Sequence, residues 1–231
     1  MSMNFKMNVY GITAMGGKIK IGHVDETIAN AFPLGGKIFY IDPSDNGAIY
    51  HFYDRDGEEI TDVRVGDQPY AYVVEGTPTK EKYYVFYPSA VTSKRWTYYK
   101  DGAYVYNLLG TGTEIGSGKA NTNIVMAADD GAYVTNDSNG VATIWYELKR
   151  MRDNLYGGMS DWFVPSRYEL EALRNATDRS GNALTTLFSN TYIWSSSECS
   201  AQSAWNWYST SQAWNYYGEG NLDALLAVRA F

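Results

Sequence analysis

Trp194-Ser-Ser-Ser-Glu198 opens the last part of the chain, and Val228-Arg-Ala-Phe231 closes it. From Cys199 to Asp223, Tyr and Trp are interspersed with Ser, Asn and Gln, and the only charged side chains are Glu219 and Asp223. Tyr and Trp provide broad contact area at low entropic cost, and Ser and Asn provide adaptable hydrogen bonds. A hydrophobic core would require Leu, Ile and Val, and an active site would require groups that titrate near neutral pH. The ending therefore predicts recognition rather than catalysis.

Composition favours a fold rich in strands and turns over a helical bundle. The chain has 231 residues, of which 45% are hydrophobic and 16% aromatic, and it contains 21 Tyr and 22 Gly. Aromatic residues are enriched in strands, whereas Gly is typical of turns. The length allows one large domain, or one domain with a small appendage.

Charge and cysteine content argue against several classes of function. The net charge is −7 and no Lys or Arg occurs between Ser180 and Val228, so we expect no nucleic-acid partner. Cys199 is the only cysteine, which excludes an intrachain disulfide and a metal site built on cysteines. As a nucleophile it would need a base, and only His23 and His51 are present, so a structural or incidental role is favoured.

Targeting signals are not apparent in the sequence. Residues 1–8 lack the apolar segment that is typical of a signal peptide. No apolar run approaches membrane-spanning length, so we expect no membrane insertion. A protein of this kind that acts outside a cell would have to leave it by another route, such as lysis.

The residue pattern predicts strands, then two helices, then strands. Apolar and polar residues alternate over residues 4–24, and Pro33 marks a boundary between an N-terminal segment, residues 1–32, and a main domain, residues 33–231. Further strands are predicted at residues 35–41, 48–53, 70–74, 83–87 and 103–106. This order is typical of the α+β class rather than of alternating α/β folds.

The first predicted helix has an apolar stripe at three- and four-residue spacing. Ser138 or Asn139 can cap its start, and Gly157-Gly158 is expected to stop it. The stripe consists of Val141, Ile144, Trp145, Leu148, Met151 and Leu155.

The second predicted helix begins with Ser166-Arg-Tyr-Glu169, which matches a capping box. In this motif the Ser side chain accepts a backbone N–H, and the Glu side chain reaches back to the backbone N–H of the Ser. Leu170 and Leu173 are then expected to face inward.

Motifs for phosphate, metal or acid–base chemistry are incomplete. Gly116-Ser-Gly-Lys119 fails the phosphate-loop spacing, so an ordinary structural loop is favoured. Asp54-Arg-Asp-Gly57 and Asp42-Pro-Ser-Asp45 resemble calcium-loop fragments without the terminal Glu, and turns have the same composition. Glu198 and Asp161 are carboxylates that we expect to bind nearby backbone, Asp161 by capping amides. We therefore predict no cofactor, no metal and no catalytic residue.

The tryptophans of the C-terminal part are expected to divide into two groups. Trp194 and Trp205 are predicted to be buried anchors. Trp207 and Trp214 have polar neighbours, so they are predicted to be exposed.

Six segments, taken in order, resemble the variable proteins of diversity-generating retroelements, which have a C-type-lectin-like fold. The resemblance extends from roughly residue 33 to the end, and the ordered set is far more specific than any one motif. It implies two helices packed on antiparallel strands, with a β-rich insertion at about residues 54–106. The segments are Gly35-Gly-Lys-Ile-Phe-Tyr-Ile41, Gly112-Thr-Glu-Ile-Gly-Ser-Gly-Lys-Ala-Asn-Thr122, Ser160-Asp-Trp-Phe-Val-Pro-Ser166, Trp194-Ser-Ser-Ser-Glu198, Ala204-Trp205 and Val228-Arg-Ala-Phe231.

In that family, error-prone reverse transcription at adenines diversifies the 3′ end of the gene, so a fixed scaffold displays a hypervariable ligand-binding face. The resemblance implies a variable region at about residues 199–223, and a protein or glycan receptor on a cell surface as the partner. The implied ligand-binding residues are Gln202, Ser203, Asn206, Trp207, Tyr208, Ser209, Gln212, Trp214, Asn215, Tyr216, Tyr217, Glu219, Asn221 and Asp223.

The resemblance favours a phage tail-tip protein, located on the virion, in which residues 1–32 attach the protein or form a homotrimer. One alternative is a bacterial surface adhesin on the same fold. Others are a calcium-dependent carbohydrate binder and a hydrolase acting through Glu198 or Asp161, which would require a deep pocket with a perturbed carboxylate.

Overall fold

Three α-helices lie in the part of the chain that the structure describes, one more than the two that the sequence predicts. The additional helix, residues 118–127, lies where a structural loop was expected. This computed structural model describes residues 19–21, 36–41, 48–54, 56, 58–78, 80–87, 90–135, 140–188, 190–209 and 213–231. The helices are α1 (Gly118–Ala127), α2 (Ile144–Asp153) and α3 (Arg167–Asn175). None of these described helices has both the length and the apolar character needed to cross a membrane.

The middle of the predicted apolar stripe is the buried side of α2, where Ile144, Trp145, Leu148 and Met151 are all buried. Its two ends, residues 141 and 155, lie outside the helix, and residue 155 is 54% exposed. The helix starts later than predicted, because Thr143 is its N-cap and its side chain accepts the Tyr146 N–H at 3.0 Å. The predicted caps, residues 138 and 139, lie outside the described residues. At the other end, positive φ angles at Leu155, Gly157 and Gly158 follow the last helical residue and end the helix.

The capping box that opens α3 is confirmed. Ser166 Oγ accepts the Glu169 N–H at 3.3 Å, and Glu169 Oε2 accepts the Ser166 N–H at 2.7 Å. Leu170 and Leu173 are fully buried, as the sequence predicts. Glu169 is itself buried, and it also accepts the Gly116 N–H and the Tyr84 hydroxyl. Its carboxylate therefore joins α3 to the loop before α1 and to a strand.

Among the described residues, fourteen strands form three sheets and a hairpin, so the chain belongs to the α+β class. The sheets have the orders β1-β5-β3-β4, β14-β6-β2 and β12-β11-β10-β13-β7. All neighbouring strands are antiparallel except β10 and β13. The strands are β1 (Ile19–Ile21), β2 (Lys37–Ile41), β3 (Ile49–Tyr53), β4 (Glu59–Ile60), β5 (Ala71–Glu75), β6 (Tyr83–Phe86), β7 (Val91–Lys94), β8 (Tyr99–Lys100), β9 (Ala103–Tyr104), β10 (Tyr192–Ser200), β11 (Ser203–Tyr208), β12 (Ala213–Gly218), β13 (Asp223–Leu225) and β14 (Val228–Ala230).

Residues 54–106, expected as a β-rich insertion, contribute strands to all three sheets and also form the β8–β9 hairpin. β6 lies between β2 and the C-terminal β14, and β7 pairs with β13. The described part of the N-terminal segment, β1, pairs with β5, whereas the predicted boundary at Pro33 lies outside the described residues.

The C-terminal Val228-Arg-Ala-Phe231 segment is fixed by a buried ion pair. Arg229 is fully buried, and its Nε and Nη2 atoms lie 3.0 and 3.1 Å from the two carboxylate oxygens of Asp161. Asp161, which was expected to cap backbone amides, binds this guanidinium as a fork. Planar bidentate geometry of this kind is specific to Arg.

Candidate functional site

The strand pair β11–β12 distributes the predicted binding residues between two faces of the C-terminal sheet. Trp205 lies opposite Tyr216, and Trp207 lies opposite Trp214. Asn206 lies opposite Asn215, and Ala204 opposite Tyr217. Because successive side chains point to opposite faces and directly paired residues share a face, odd-numbered and even-numbered positions of β11 belong to different surfaces.

Three serines fix the strand beneath these surfaces. Ser195, Ser196 and Ser197 of β10 are all fully buried. The Ser195 hydroxyl donates to the carbonyl of Trp205, and the Ser197 hydroxyl donates to the carbonyl of Gly112. Ser196 Oγ accepts from the Asn121 side chain at 3.1 Å. Each hydroxyl therefore joins β10 to a different segment, which explains why this buried run is polar.

We call the surface formed by Tyr192, Tyr208, Asn215 and Tyr217 the tyrosine face. The rings of Tyr192 and Tyr208 are stacked, with centroids 4.3 Å apart, and Tyr217 meets Tyr192 edge-on at 5.4 Å. The hydrogen bond between Tyr192 and Tyr217 raises the pKa of Tyr192. Tyr217 is 39% exposed and the other three side chains are half-buried, so the rings offer edges and hydroxyls to solvent.

A buried polar pair lies on the same face of the sheet. Asn206 is fully buried and its Nδ2 donates to Asp223 Oδ2 at 2.5 Å. Burial raises the pKa of Asp223, although the hydrogen bond from Asn206 opposes the shift. The Oδ1 atom of Asn206 is buried and has no partner among the described residues.

We call the opposite surface, formed by Trp205, Trp214 and Tyr216, the tryptophan face. Tyr216 is 67% exposed, and the two indoles are half-buried. The ring of Trp205 meets Trp214 edge-on at 6.5 Å and Tyr216 at 6.0 Å. The guanidinium of Arg167, the first residue of α3, lies over Trp205 with 3.9 Å between Cζ and the ring centroid.

Two tryptophan predictions are wrong, and Trp207 is the clearest case. Trp207 is 0% exposed and packs with Ile193 and the α3 leucines, although it was expected to be exposed. Trp205 was expected to be a buried anchor but is half-exposed. The two residues share a face of the sheet, so their position along the strand decides burial: Trp207 lies over the core beneath α3, and Trp205 lies beside the start of α3. Trp194 is buried, as predicted.

Three further predicted binding residues are buried instead of facing a partner. Asn206 binds Asp223, as described above. Ser209 is buried and its hydroxyl accepts the Thr191 N–H at 3.0 Å, which fixes the end of the β10–β11 pair. Glu219 is also buried. These positions can hold the face in shape, but their side chains are not available to a ligand in this conformation.

Glu219 is the most unusual of these residues, because its side chain is 0% exposed and neither carboxylate oxygen has a partner among the described residues. Burial, with a smaller contribution from the charge of Glu198, raises the pKa of Glu219 to about 9. Its backbone carbonyl accepts the N–H groups of Trp96 and Thr97, which holds the residue in place. The carboxyl is therefore neutral near pH 7.

The remaining predicted residues lie around the ends of these strands. Gln202 and Asn221 are exposed, and Ser203 is half-buried. Gln212 lies outside the described residues.

Glu198 serves as a structural carboxylate, as the sequence analysis favoured. It is buried, and its two oxygens accept the N–H groups of Leu109 and Thr111 as well as the Thr111 hydroxyl, at 2.9 to 3.1 Å. It therefore anchors the loop that precedes α1. Asp161, the other carboxylate considered for hydrolysis, is paired with Arg229. Within the described ranges, no group of three or more His, Cys, Asp or Glu residues is placed to hold a metal ion.

Sequence reasoning missed two residues of these surfaces, Tyr192 and Arg167. Tyr192 precedes the Trp194 motif by two residues, so strand alternation could have placed it beside the predicted binding residues. Arg167 belongs to the capping box, where its side chain is not part of the motif. No signal in the sequence places it against an indole that lies 38 positions away.

The comparisons with known proteins supply no family. A scan against protein-family models finds no match, and a search of curated proteins finds no relative.

Proposed function

We propose that this protein binds a receptor through a hypervariable surface, as a variable protein of a diversity-generating retroelement with a C-type-lectin-like fold. In this proposal the protein is a phage tail-tip receptor-binding protein, and the receptor is a protein or a glycan on a cell surface. It acts by binding and carries out no catalysis. The tyrosine face is the surface that we assign to the receptor.

The observation that carries the proposal is the contrast along one side of β10 and β11, between positions buried in the core and positions that meet solvent. Trp194 and Ala204 are buried in the core, and each of the three serines between Trp194 and Glu198 forms a side-chain hydrogen bond. The same strands display Tyr192 and Tyr208 to solvent, beside Tyr217 of β12. A binding surface of changeable sequence needs a rigid base that carries amphipathic rings at its solvent-facing positions, because a substitution of such a ring leaves the packing of the core intact.

Unsatisfied polar groups beneath the faces give secondary support. Both oxygens of Glu219 and the Oδ1 of Asn206 are buried without partners among the described residues, and both positions fall in the predicted variable region. Each such group costs about 1–3 kcal/mol, so residues optimised for stability alone would not occupy these positions. Such groups are expected where diversification introduces new side chains more often than selection for stability removes the unfavourable ones.

The DNA that flanks the gene tests this proposal. We expect a reverse-transcriptase gene and a near-copy of the 3′ end of the coding sequence that differs mainly at adenines. The differences should fall in codons for residues 199–223 and leave those for Trp194, Ala204 and Val228 unchanged. A locus without the repeat, surrounded by genes of a metabolic pathway, would contradict the proposal and favour an enzyme.

A further inference from the structure

Arg167 occupies an unusual position for a charged side chain. Its guanidinium lies 3.9 Å from the ring centroid of Trp205, 5.5 Å from that of Trp214 and 5.4 Å from that of Tyr168. Three aromatic rings from α3, β11 and β12 therefore surround one cation. Stacking on an indole orients a guanidinium, because the ring face attracts the cation and the two planes pack together.

No acidic group neutralises this cation among the described residues. Arg167 forms no ion pair there, and its Nε is buried without a hydrogen-bond partner. Glu169 is held by the capping box, and Glu171, one turn along α3, is engaged by Arg174 at 3.0 Å. The backbone N–H of Arg167 is satisfied by Ser197 Oγ, so the unused donors belong to the side chain. A guanidinium has five N–H donors in a fixed fork, and with Nε buried, the four N–H donors on the two Nη atoms remain for another molecule.

We propose that Arg167, together with Trp205, Trp214 and Tyr216, forms a second binding site that takes a carboxylate from an Asp or Glu side chain of a partner protein. This site is on the face of the sheet opposite the tyrosine face, and it does not depend on the function proposed for that face. The carboxylate would bind the guanidinium as a fork, and the partner's neighbouring apolar atoms would cover Tyr216, which is 67% exposed.

Charge and ring geometry favour a single side-chain carboxylate of a protein over a polyanion or a neutral sugar as the ligand. The chain carries a net charge of −7 and no Lys or Arg between Ser180 and Val228, so the negative charge of the chain would repel a polyanion that extends beyond Arg167. A sugar ring stacks on an open aromatic face, but Arg167 already covers one face of Trp205, and Trp214 and Tyr216 meet it edge-on. A side-chain carboxylate needs only the guanidinium and a rim of rings.

A titration of the intact chain with N-acetyl-glutamate amide, which carries one side-chain carboxylate, tests the site. The matched neutral probe is N-acetyl-glutamine amide, and the readout is the NMR shift of the indole N–H signals of Trp205 and Trp214. We expect saturable shifts with the glutamate probe and at least about tenfold weaker binding of the glutamine probe. Arg167→Gln should abolish the difference in affinity between the two probes. Arg167→Lys keeps the charge without the fork and should reduce that difference. Arg150→Gln removes the same charge from α2, where Arg150 pairs with Glu147, and should leave the titration unchanged.

The outcomes separate this site from the proposed function. Equal shifts with both probes, or shifts that persist in Arg167→Gln, would overturn the carboxylate site and leave the tyrosine face unaffected. Tighter binding of N-acetylneuraminate than of the glutamate probe would assign the site to an acidic glycan and overturn the protein partner. If Arg167→Gln does not fold, the two probes are compared on the unaltered chain and on Arg167→Lys. The carboxylate site then requires a preference for the glutamate probe that Arg167→Lys reduces. No response of either indole to any probe would also overturn the proposal.

Discussion

Gly118, in the first turn of α1, lies directly against the carboxylate of Glu169 in α3. A Cβ atom on Gly118 would overlap Glu169 Oε2, and it would lie 2.8 Å from the Ser166 nitrogen and 2.9 Å from the Val164 carbonyl oxygen. The Gly-Ser-Gly-Lys sequence that superficially suggests a phosphate loop is therefore explained by packing. Its second glycine lets α1 approach the capping box of α3, which supports the β10 strand of the candidate site.

Substitution of this glycine should be costly for the fold. Gly118→Ala forces Glu169 Oε2 away from the Ser166 N–H and strains buried backbone, so we expect a loss of about 2–4 kcal/mol in the free energy of unfolding. Urea denaturation measures it. The matched control is Gly110→Ala, where no atom lies within 4 Å of the added methyl and the φ of +79° is the only penalty, about 1 kcal/mol. A smaller loss for Gly118→Ala than for Gly110→Ala would contradict the packing argument.

The pH dependence of stability should report the burial of Glu219. Its pKa rises from 4.5 to about 9 on folding, so the folded state holds a proton that the unfolded state releases. The stabilisation that this proton gives the folded state is fully present below pH 4.5 and is lost as the pH rises to about 9. Over that range the free energy of unfolding falls by up to about 1.4 kcal/mol per pH unit.

Glu219→Gln removes this titration, so we expect the variant to lose less stability than the unaltered chain between pH 5 and 9. Asp223 and Glu169, whose pKa values burial also raises, titrate in both proteins and cancel in the comparison. Thermal unfolding at a series of pH values measures the difference. Glu58→Gln alters an exposed carboxylate and serves as the control. Parallel curves for Glu219→Gln and the unaltered chain would show that Glu219 is not buried as described.

The Asp161–Arg229 pair should be strongly coupled. Asp161→Ala leaves the buried guanidinium without this carboxylate, and we expect a loss of about 3–5 kcal/mol. The double substitution Asp161→Ala with Arg229→Met removes the charge as well, so it should be more stable than Asp161→Ala alone. A double-mutant cycle by chemical denaturation measures the coupling. Additive losses would indicate that the fork contributes little beyond packing.

Local sequence signals predicted two of the three helices that the structure describes, whereas α1 was expected to be a loop. The capping box at Ser166 and Glu169 was correct because the motif is completed within one turn of helix. The buried stripe of α2 was found because helical periodicity appears in residues three and four positions apart. The start of that helix was misplaced because several residues near it can act as an N-cap.

Long-range features could not be predicted in the same way. Alternation along β11 groups Trp205 with Trp207, but the sequence does not say which of them lies beneath α3. The role of Glu198 depends on Leu109 and Thr111, which lie almost ninety positions earlier and carry no matching motif. The residues next to Glu219 in the sequence are typical of an exposed turn. Its burial depends on segments that are distant in the sequence, so it could not be predicted locally.

The separation of a rigid base from a changeable face gives the sharpest test of the proposed function. Trp207→Ala removes a fully buried indole from the core beneath α3, so we expect a loss of about 3–5 kcal/mol in the free energy of unfolding. Tyr217→Ala truncates a partly exposed ring and should cost less than about 1 kcal/mol.

The same contrast should appear when each position is randomised and folded protein is selected by protease resistance. Tyr208, Asn215 and Tyr217 together should accept most amino acids, including charged ones, because their side chains meet solvent at the outer edge of the tyrosine face. Trp207 should accept only large apolar residues, because it fills space between Ile193 and α3. Equal intolerance at both sets would mean that the tyrosine rings are needed by the fold, and a surface of that kind could not be diversified.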